Sequence, residues 1–189
     1  MHRNPLQSLL AKYQISCSDD EIVLHKIKEF ILKNNDCFER SLFVGHVTGS
    51  AWIIDATKSY TLLTHHKKLN KWLQLGGHAD GDPDIFSVAL REAQEESGLK
   101  SIVPLSKDIF DIDIHLIPGH PADHYHYDVR FIFQADRKEK LTISHESKDL
   151  AWISLDKLED FSTEPSVLRL SEKTKLFKNF SSSSSAHDT

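Results

Sequence analysis

The chain has 189 residues and a formal net charge of −5, a length typical of one domain with short extensions and a proper hydrophobic core. The negative charge argues against a general nucleic-acid-binding protein, which needs a basic surface. Cys17 and Cys37 are the only cysteines and lack metal-binding spacing, and the sequence contains no apolar run of membrane-spanning length. We therefore expect a cytoplasmic protein that binds neither nucleic acid nor membrane.

Two helices are predicted at the N-terminus, over residues 5–14 and 19–34. The second begins after the polar residue Ser18 and stops at Asn34. Its apolar stripe has helical spacing and consists of Val23, Ile27, Phe30 and Ile31. We expect residues 1–40 to form a helical extension that covers one side of a sheet. Substrate selection and homodimerisation are its alternative roles.

From Ser41 onward, β-rich segments alternate with short breaks. The predicted strands are residues 42–44, 50–54, 60–64 and 72–75. Gly45 and Gly49 are expected to lie in breaks between them. The last of these strands leads directly into the glycine pair Gly76 and Gly77.

The segment that follows contains a turn and an acidic helix. Asp82 is predicted to cap this helix, with Pro83 at the first helical position, and Gly98 to end it in a left-handed conformation. The helix should therefore run from about residue 83 to residue 97. Helical periodicity places its apolar residues on one face and three acids along an edge of that face, namely Glu92, Glu95 and Glu96.

These three acids destabilise an isolated helix. Glu92 and Glu96 are like charges four residues apart, which costs about 0.2–0.5 kcal/mol. Glu95 and Glu96 lie at the negative end of the helix dipole, at a further cost of about 0.3–1 kcal/mol. A bound hard cation reverses both effects, since Mg²⁺ takes carboxylate oxygens and substrate phosphates. Arg91, four residues before Glu95, can hold one carboxylate in position. A solvated, glutamate-rich surface helix is the alternative.

Two further strands are predicted over residues 109–117 and 125–135, where polar and apolar side chains alternate. Four histidines lie in and between them: His115, His120, His124 and His126. These histidines leave two interpretations open, a zinc site or a polar face that lines a substrate cleft. The polar face is the more economical, because a zinc site needs further converging ligands. Arg130 lies on the same face and is a candidate phosphate contact through its bidentate guanidinium.

The C-terminal part is predicted to contain a short strand after His145 and a last helix over about residues 163–177. Residues 178–189 are rich in serine and offer little to bury, so we expect them to form a disordered tail. The domain that carries the chemistry should therefore occupy residues 41–177.

The glycine pair and the acidic helix together resemble the Nudix box. Seven positions of that pattern match in register: Gly77, Arg91, Glu92, Glu95, Glu96, Gly98 and Leu99. Two positions depart from it, because Pro83 replaces the first glutamate and Ala93 replaces a bulky aliphatic residue. The resemblance extends over roughly residues 41–160. It implies an α/β fold of the Nudix type, an α/β/α sandwich with a mixed β-sheet, preceded here by the helical extension.

The resemblance also implies a function. Nudix hydrolases cleave a diphosphate linkage, most often in a nucleoside diphosphate derivative, by water attack on phosphorus with Mg²⁺ or Mn²⁺ as cofactor. The implied metal ligands are the side chains of Glu92, Glu95 and Glu96 and the backbone carbonyl of Gly76. Arg91 would orient a glutamate, and the catalytic base would be Glu92 or Glu146. The candidate substrate contacts are His78, Arg130, Lys71 and Trp72.

Two other functions are compatible with the same fold. A non-catalytic nucleotide sensor or partner-binding domain commonly loses the box acids, whereas all three are present here. An enzyme like the isopentenyl diphosphate isomerases would need a cysteine near the substrate, and Cys37 precedes the catalytic core. Release of phosphate or monophosphate from a panel of nucleoside diphosphate derivatives would distinguish the hydrolase, whereas tight binding without turnover would favour the sensor.

Overall fold

The computed structural model describes residues 2–16, 18–119, 122–145 and 147–183, with residues 178–183 described by their backbone alone. Its helices are α1 (Asn4–Lys12), α2 (Ser18–Lys33), α3 (Ile85–Ser97) and α4 (Pro165–Ser183), with a 3₁₀ helix over Leu155–Asp160. Its strands are β1 (Gly45–Ile54), β2 (Tyr60–His66), β3 (Lys71–Leu73), β4 (Leu75–His78), β5 (Val103–Pro104), β6 (Asp111–Ile117), β7 (His124–Gln134) and β8 (Ser147–Ser154).

The strands form one mixed sheet with β1 at its centre. The main order is β3-β2-β1-β7-β5, while β4 pairs with β1, β6 with β7 and β8 with β2. β1 and β7 run parallel along their whole length, from Gly45 beside Tyr125 to Ile54 beside Gln134. The other pairings are antiparallel. The predicted mixed sheet is therefore confirmed.

Helices cover both faces of this sheet. Gly49 of β1 faces α3, since a Cβ added there would lie 2.8 Å from the Ile85 carbonyl oxygen. Successive side chains of a strand point to opposite faces. Trp52 accordingly points to the other side, where its indole Nε1 donates to Thr174 Oγ1 of α4 at 2.8 Å. The α/β/α arrangement is thus confirmed.

The N-terminal helices pack into the main hydrophobic core. Leu6, Leu10, Ile27 and Ile31 are fully buried in the same apolar cluster as the sheet and α3. The ring of Phe30 stacks on Tyr127 of β7, with centroids 3.7 Å apart. α1 and α2 therefore cover the face of the sheet that α3 also covers.

Several predicted boundaries were wrong. Residues 42–44 form turns instead of a strand, and β1 runs through Gly45 and Gly49 without a break. A glycine within a strand allows another backbone to approach closely, and Gly49 has this role beneath α3. The N-cap of α3 is Asp84 instead of Asp82, because the Asp84 side chain accepts from the Ser87 amide.

The ends of α3 and α4 differ in how well the sequence predicted them. Gly98 ends α3 in the left-handed conformation, with φ of 71°, as predicted. α4 continues past the predicted end near residue 177 to Ser183. Residues 184–189 of the serine-rich segment lie outside the described residues.

Two further features bear on the sequence predictions. No helix among the described residues has both the length and the apolar character needed to cross a membrane. Cys37 is fully buried in the main core, and burial raises the pKa of its thiol to about 11. A buried, protonated thiol does not suit the isomerase alternative. Cys17 lies outside the described residues.

Candidate functional site

The junction of β4 and α3 brings the glycine pair against the acidic edge of the helix. A Cβ added to Gly77 would lie 2.2 Å from Glu92 Oε2 and 2.5 Å from Glu92 Cδ. Such distances are far below van der Waals contact, so any side chain at Gly77 would displace the Glu92 carboxylate. Glycine at this position therefore lets Glu92 lie directly on the strand backbone.

Glu96 is held by the other glycine of the pair. The Gly76 amide donates a hydrogen bond to Glu96 Oε1 at 2.9 Å. Gly76 itself lies tightly against β1, since an added Cβ would be 2.7 Å from Ser50 Cα and 2.8 Å from the Gly49 carbonyl oxygen. Two of the three box acids are thus positioned by backbone contacts of the strand that precedes the helix.

Arg91 fixes the Glu92 carboxylate from the other side. Its Nη2 donates to Glu92 Oε1 at 2.9 Å and to the His78 carbonyl oxygen at 3.2 Å. The partner is therefore Glu92 instead of the predicted Glu95, whose side chain is exposed. Burial raises the pKa of Glu92, and the nearby Arg91 guanidinium opposes this rise. Arg91 thus orients a glutamate and compensates part of the cost of burying its charge.

The chemistry of this acidic edge fits a hard divalent cation. Carboxylate oxygens are the ligands that Mg²⁺ prefers, and Mn²⁺ shares this preference. Glu92, Glu95 and Glu96 do not form a set of three mutually close ligand atoms among the described side chains. Glu95 is the exposed member of the three, and exposed side chains change rotamer within nanoseconds, so its carboxylate can move relative to the two that are held.

A second polar region lies on the opposite face of β1. Because Gly49 faces α3, its neighbours Thr48 and Ser50 point to the other side of the sheet. Asp128 of β7 accepts hydrogen bonds from Thr48 Oγ1 at 2.9 Å and from Ser50 Oγ at 2.8 Å. Arg130 Nε donates to the same carboxylate at 2.7 Å.

Arg130 is buried within this region. Its side chain is 1% exposed, and its other donors reach Asp111 Oδ2 at 3.0 Å and Asp113 Oδ2 at 2.9 Å. Burial alone would lower the pKa of Arg130, but the carboxylates of Asp128, Asp113 and Asp111 raise it. Its guanidinium is therefore occupied by three aspartates inside the protein. This burial and these ion pairs do not favour the predicted contact between Arg130 and a substrate phosphate, which stays a prediction.

Two cations from α4 extend the same network to the N-terminal helices. Arg169 Nη2 lies 2.9 Å from Asp111 Oδ2, and Lys173 Nζ lies 2.7 Å from Asp111 Oδ1. Lys173 also donates to Asp20 of α2 at 3.1 Å. We call this set the buried ion-pair network, comprising Asp20, Asp111, Asp113, Asp128, Arg130, Arg169 and Lys173. It joins the extension, the sheet and the C-terminal helix.

Histidines continue this polar face toward the start of β1 and β7. We call them the histidine cluster, comprising His46, His78, His115, His124 and His126. His46 lies beside His126 in the parallel pairing, and their ring centroids are 4.8 Å apart. The rings of His78 and His115 lie 5.1 Å and 5.4 Å from His126.

The environment keeps the inner histidines neutral. Burial, together with the neighbouring histidines, lowers the pKa of His46 to about 4 and that of His126 to about 2. No local sequence pattern places His46 here, because only the parallel pairing of β1 with β7 brings it beside His126. His120, one of the four predicted histidines, lies outside the described residues.

The remaining predicted site residues lie elsewhere. Lys71 forms an ion pair with Glu164 at 2.8 Å. Trp72 stacks on the His65 ring, with centroids 5.0 Å apart, and packs against the apolar cluster on the α4 side. Glu146, the second candidate base, lies outside the described residues.

Comparison with known families identifies the domain. A family model described as the NUDIX domain matches residues 46–172. The chain belongs to the Nudix family. The Nudix match begins in β1 and ends in α4, so α1 and α2 precede the matched region. Comparison with curated proteins gives no significant match.

Solved structures of Nudix and related hydrolases resemble this chain in fold. A C. elegans Ap4A hydrolase complex superimposes with a TM-score of 0.58 at 17% identity, covering 70% of this chain and 97% of that one. A NUDIX-family hydrolase from Clostridium perfringens gives 0.52 at 27% identity, with coverage of 70% and 97%. An E. coli dihydroneopterin triphosphate pyrophosphohydrolase gives 0.53 at 13% identity, with coverage of 67% and 92%.

Proposed function

We propose that this protein is a metal-dependent pyrophosphohydrolase that cleaves a nucleoside diphosphate derivative into a nucleoside monophosphate and a phosphorylated second product. The observation that carries the proposal is the placement of Glu92 against Gly77 and of Glu96 on the Gly76 amide. Like charges at this spacing and at a helix C-terminus destabilise a helix, so the clustering of these acids favours a role for them as cation ligands.

In this proposal Glu92, Glu95, Glu96 and the Gly76 carbonyl hold Mg²⁺ or Mn²⁺. When bound, the ion would stabilise the negative charge that develops on the phosphate oxygens during hydrolysis. Arg91 keeps the Glu92 carboxylate in place through its bond at 2.9 Å. The base that accepts the proton of the attacking water is Glu92 or Glu146.

The comparisons support the reaction class more than the substrate. The C. elegans and E. coli neighbours carry the names Ap4A hydrolase and dihydroneopterin triphosphate pyrophosphohydrolase. Both names describe hydrolysis of a phosphorylated nucleotide-like compound. A fold shared at this level of identity hosts many substrates, so the group attached to the diphosphate must be found by experiment.

A substrate panel tests the proposal. Purified protein is incubated with nucleoside diphosphate sugars, dinucleoside polyphosphates and nucleoside triphosphates in Mg²⁺, in Mn²⁺ and in EDTA, at neutral and alkaline pH. Products are resolved by ³¹P NMR. We expect metal-dependent release of a monophosphate from at least one member. Tight binding with no turnover in either metal would instead favour the nucleotide-sensor function.

A further inference from the structure

The histidine cluster brings several imidazole rings together at a place distinct from that of Glu92, Glu95 and Glu96. His46, His124 and His126 each offer one ring nitrogen, and these three atoms all lie within 4.8 Å of one another. They lie on the face of β1 opposite α3, whereas Glu92 lies on the α3 side. The cluster is therefore separate from the acidic edge described above.

Two histidines of the cluster have buried ring nitrogens without a hydrogen-bond partner among the described residues. His46 is 3% exposed, and neither Nδ1 nor Nε2 makes a hydrogen bond to the described residues. Nε2 of His126 is likewise buried without a partner. A buried polar atom without a partner costs about 1–3 kcal/mol. A neutral imidazole carries a proton on one ring nitrogen and a lone pair on the other, so His46 and His126 can each offer one lone pair to a cation.

We propose that His46, His124 and His126 bind a transition-metal dication, with Zn²⁺ as the representative ion. Neutral imidazole is a preferred ligand of Zn²⁺, Cu²⁺ and Ni²⁺, whereas Mg²⁺ prefers oxygen. Three histidines leave a tetrahedral ion one further position. His78, the last residue of β4, lies next to this site, with its ring centroid 5.0 Å from that of His46.

The spacing requires only a small contraction on binding. Zinc–nitrogen bonds of about 2.0–2.1 Å in a tetrahedron place ligand nitrogens about 3.3 Å apart. The three nitrogens are now within 4.8 Å of one another, so binding would draw them together by at most about 1.5 Å. The ion would also join the first residues of the parallel strands β1 and β7.

Metal stoichiometry tests this proposal with the full chain, purified without a histidine tag. Apo protein is equilibrated with excess Zn²⁺ in Mg²⁺ buffer, separated from free metal and analysed by mass spectrometry of the metal. We expect about one tightly held zinc per chain. The variant His124→Gln/His126→Gln should lose it, with affinity reduced by more than about 100-fold, since second-shell losses alone cost about 10–100-fold.

Two matched variants separate this site from weaker binding. His25 is exposed on α2, so His25→Gln should keep the zinc. Glu92→Gln/Glu96→Gln should also keep it, because the ligands are imidazoles. Zinc should raise the thermal unfolding temperature of the wild type and not that of the double-histidine variant. Unchanged zinc in the folded double-histidine variant, or its loss in the glutamate variant, would overturn the proposal.

Discussion

Replacing Gly77 by alanine tests the contact on which the proposed acidic site depends. The new Cβ would lie 2.2 Å from Glu92 Oε2 and 2.5 Å from Glu92 Cδ. Ordinary contact begins near 3.4 Å, so the carboxylate must move by about 1 Å or more. The backbone at Gly77 does not have a positive φ, so alanine is tolerated there without backbone strain.

The cost should fall on catalysis and spare stability. Glu92 can rotate away, at a cost of about 0.5–1.5 kcal/mol if it leaves its preferred rotamer. A displacement of about 1 Å in a catalytic group can reduce the rate about 100-fold, or about 2.7 kcal/mol in the activation barrier. We therefore expect Gly77→Ala to lower kcat/KM by about two orders of magnitude on the substrate found in the panel.

A double-mutant cycle with Glu92→Gln isolates the mechanism. Both changes act on the same carboxylate, so their effects on kcat/KM should be strongly non-additive. The melting temperature from circular dichroism serves as the control for folding. Wild-type kcat/KM in Gly77→Ala, or losses that simply add in the double variant, would refute the reasoning.

Three further predictions concern stability. Lys173→Met removes an ammonium that lies 3.1 Å from Asp20 Oδ2 and 2.7 Å from a second carboxylate, and breaking a buried pair costs about 3–5 kcal/mol. A loss of about 1 kcal/mol lowers the melting temperature of a chain of this size by about 2–4 °C, so differential scanning calorimetry should show a melting temperature lower by about 6–20 °C. An unchanged melting temperature would mean that the ion pair is solvated. Burial raises the pKa of Asp20, but hydrogen bonds from Ser16 and Lys173 outweigh it and the pKa is lowered below 3.8. The stability that the ionised Asp20 contributes is complete above pH 3.8 and is lost as pH falls through the pKa of Asp20 in the folded protein. The difference in melting temperature between wild type and Lys173→Met should therefore become smaller in acid. A constant difference would contradict the pairing of Asp20 with Lys173. Gly49→Ala places a Cβ 2.8 Å from the Ile85 carbonyl oxygen. This overpacking should cost about 1–3 kcal/mol and lower the melting temperature by about 2–12 °C. An unchanged melting temperature would show that α3 can move away from β1.

Local signals in the sequence predicted the acidic helix and its end. Gly98 adopts the left-handed conformation because a helix C-terminus needs it there, and its amide bonds to the Gln94 carbonyl. The first residue of this helix was harder to predict, because Asp82 and Asp84 can both cap a helix. In the structure the Asp84 side chain accepts from the Ser87 amide and is the cap. The spacing of the box also predicted that Glu92 and Glu96 would lie along one edge.

The sequence did not predict contacts between segments that are far apart along the chain. Alternation placed Arg130 on the polar face of β7 beside Asp128, but the other two aspartates that bind it, Asp111 and Asp113, come from β6 through the pairing of Asp111 with Arg130. His46 reaches His126 through a parallel pairing across a separation of 80 residues. Such long-range pairings depend on the whole topology, so a single chain pattern cannot specify them.

The hydrolysis rate of Glu96→Gln in Mg²⁺ tests the central claim most directly. Glutamine keeps an oxygen that can accept from the Gly76 amide, now at 2.9 Å, but it loses the charge that would hold the cation. We expect metal-dependent release of monophosphate to fall by at least about 100-fold, with an unchanged or slightly higher melting temperature because a like-charge repulsion is removed. Wild-type turnover in this variant, or a large loss of stability, would contradict the assignment of Glu96 to catalysis.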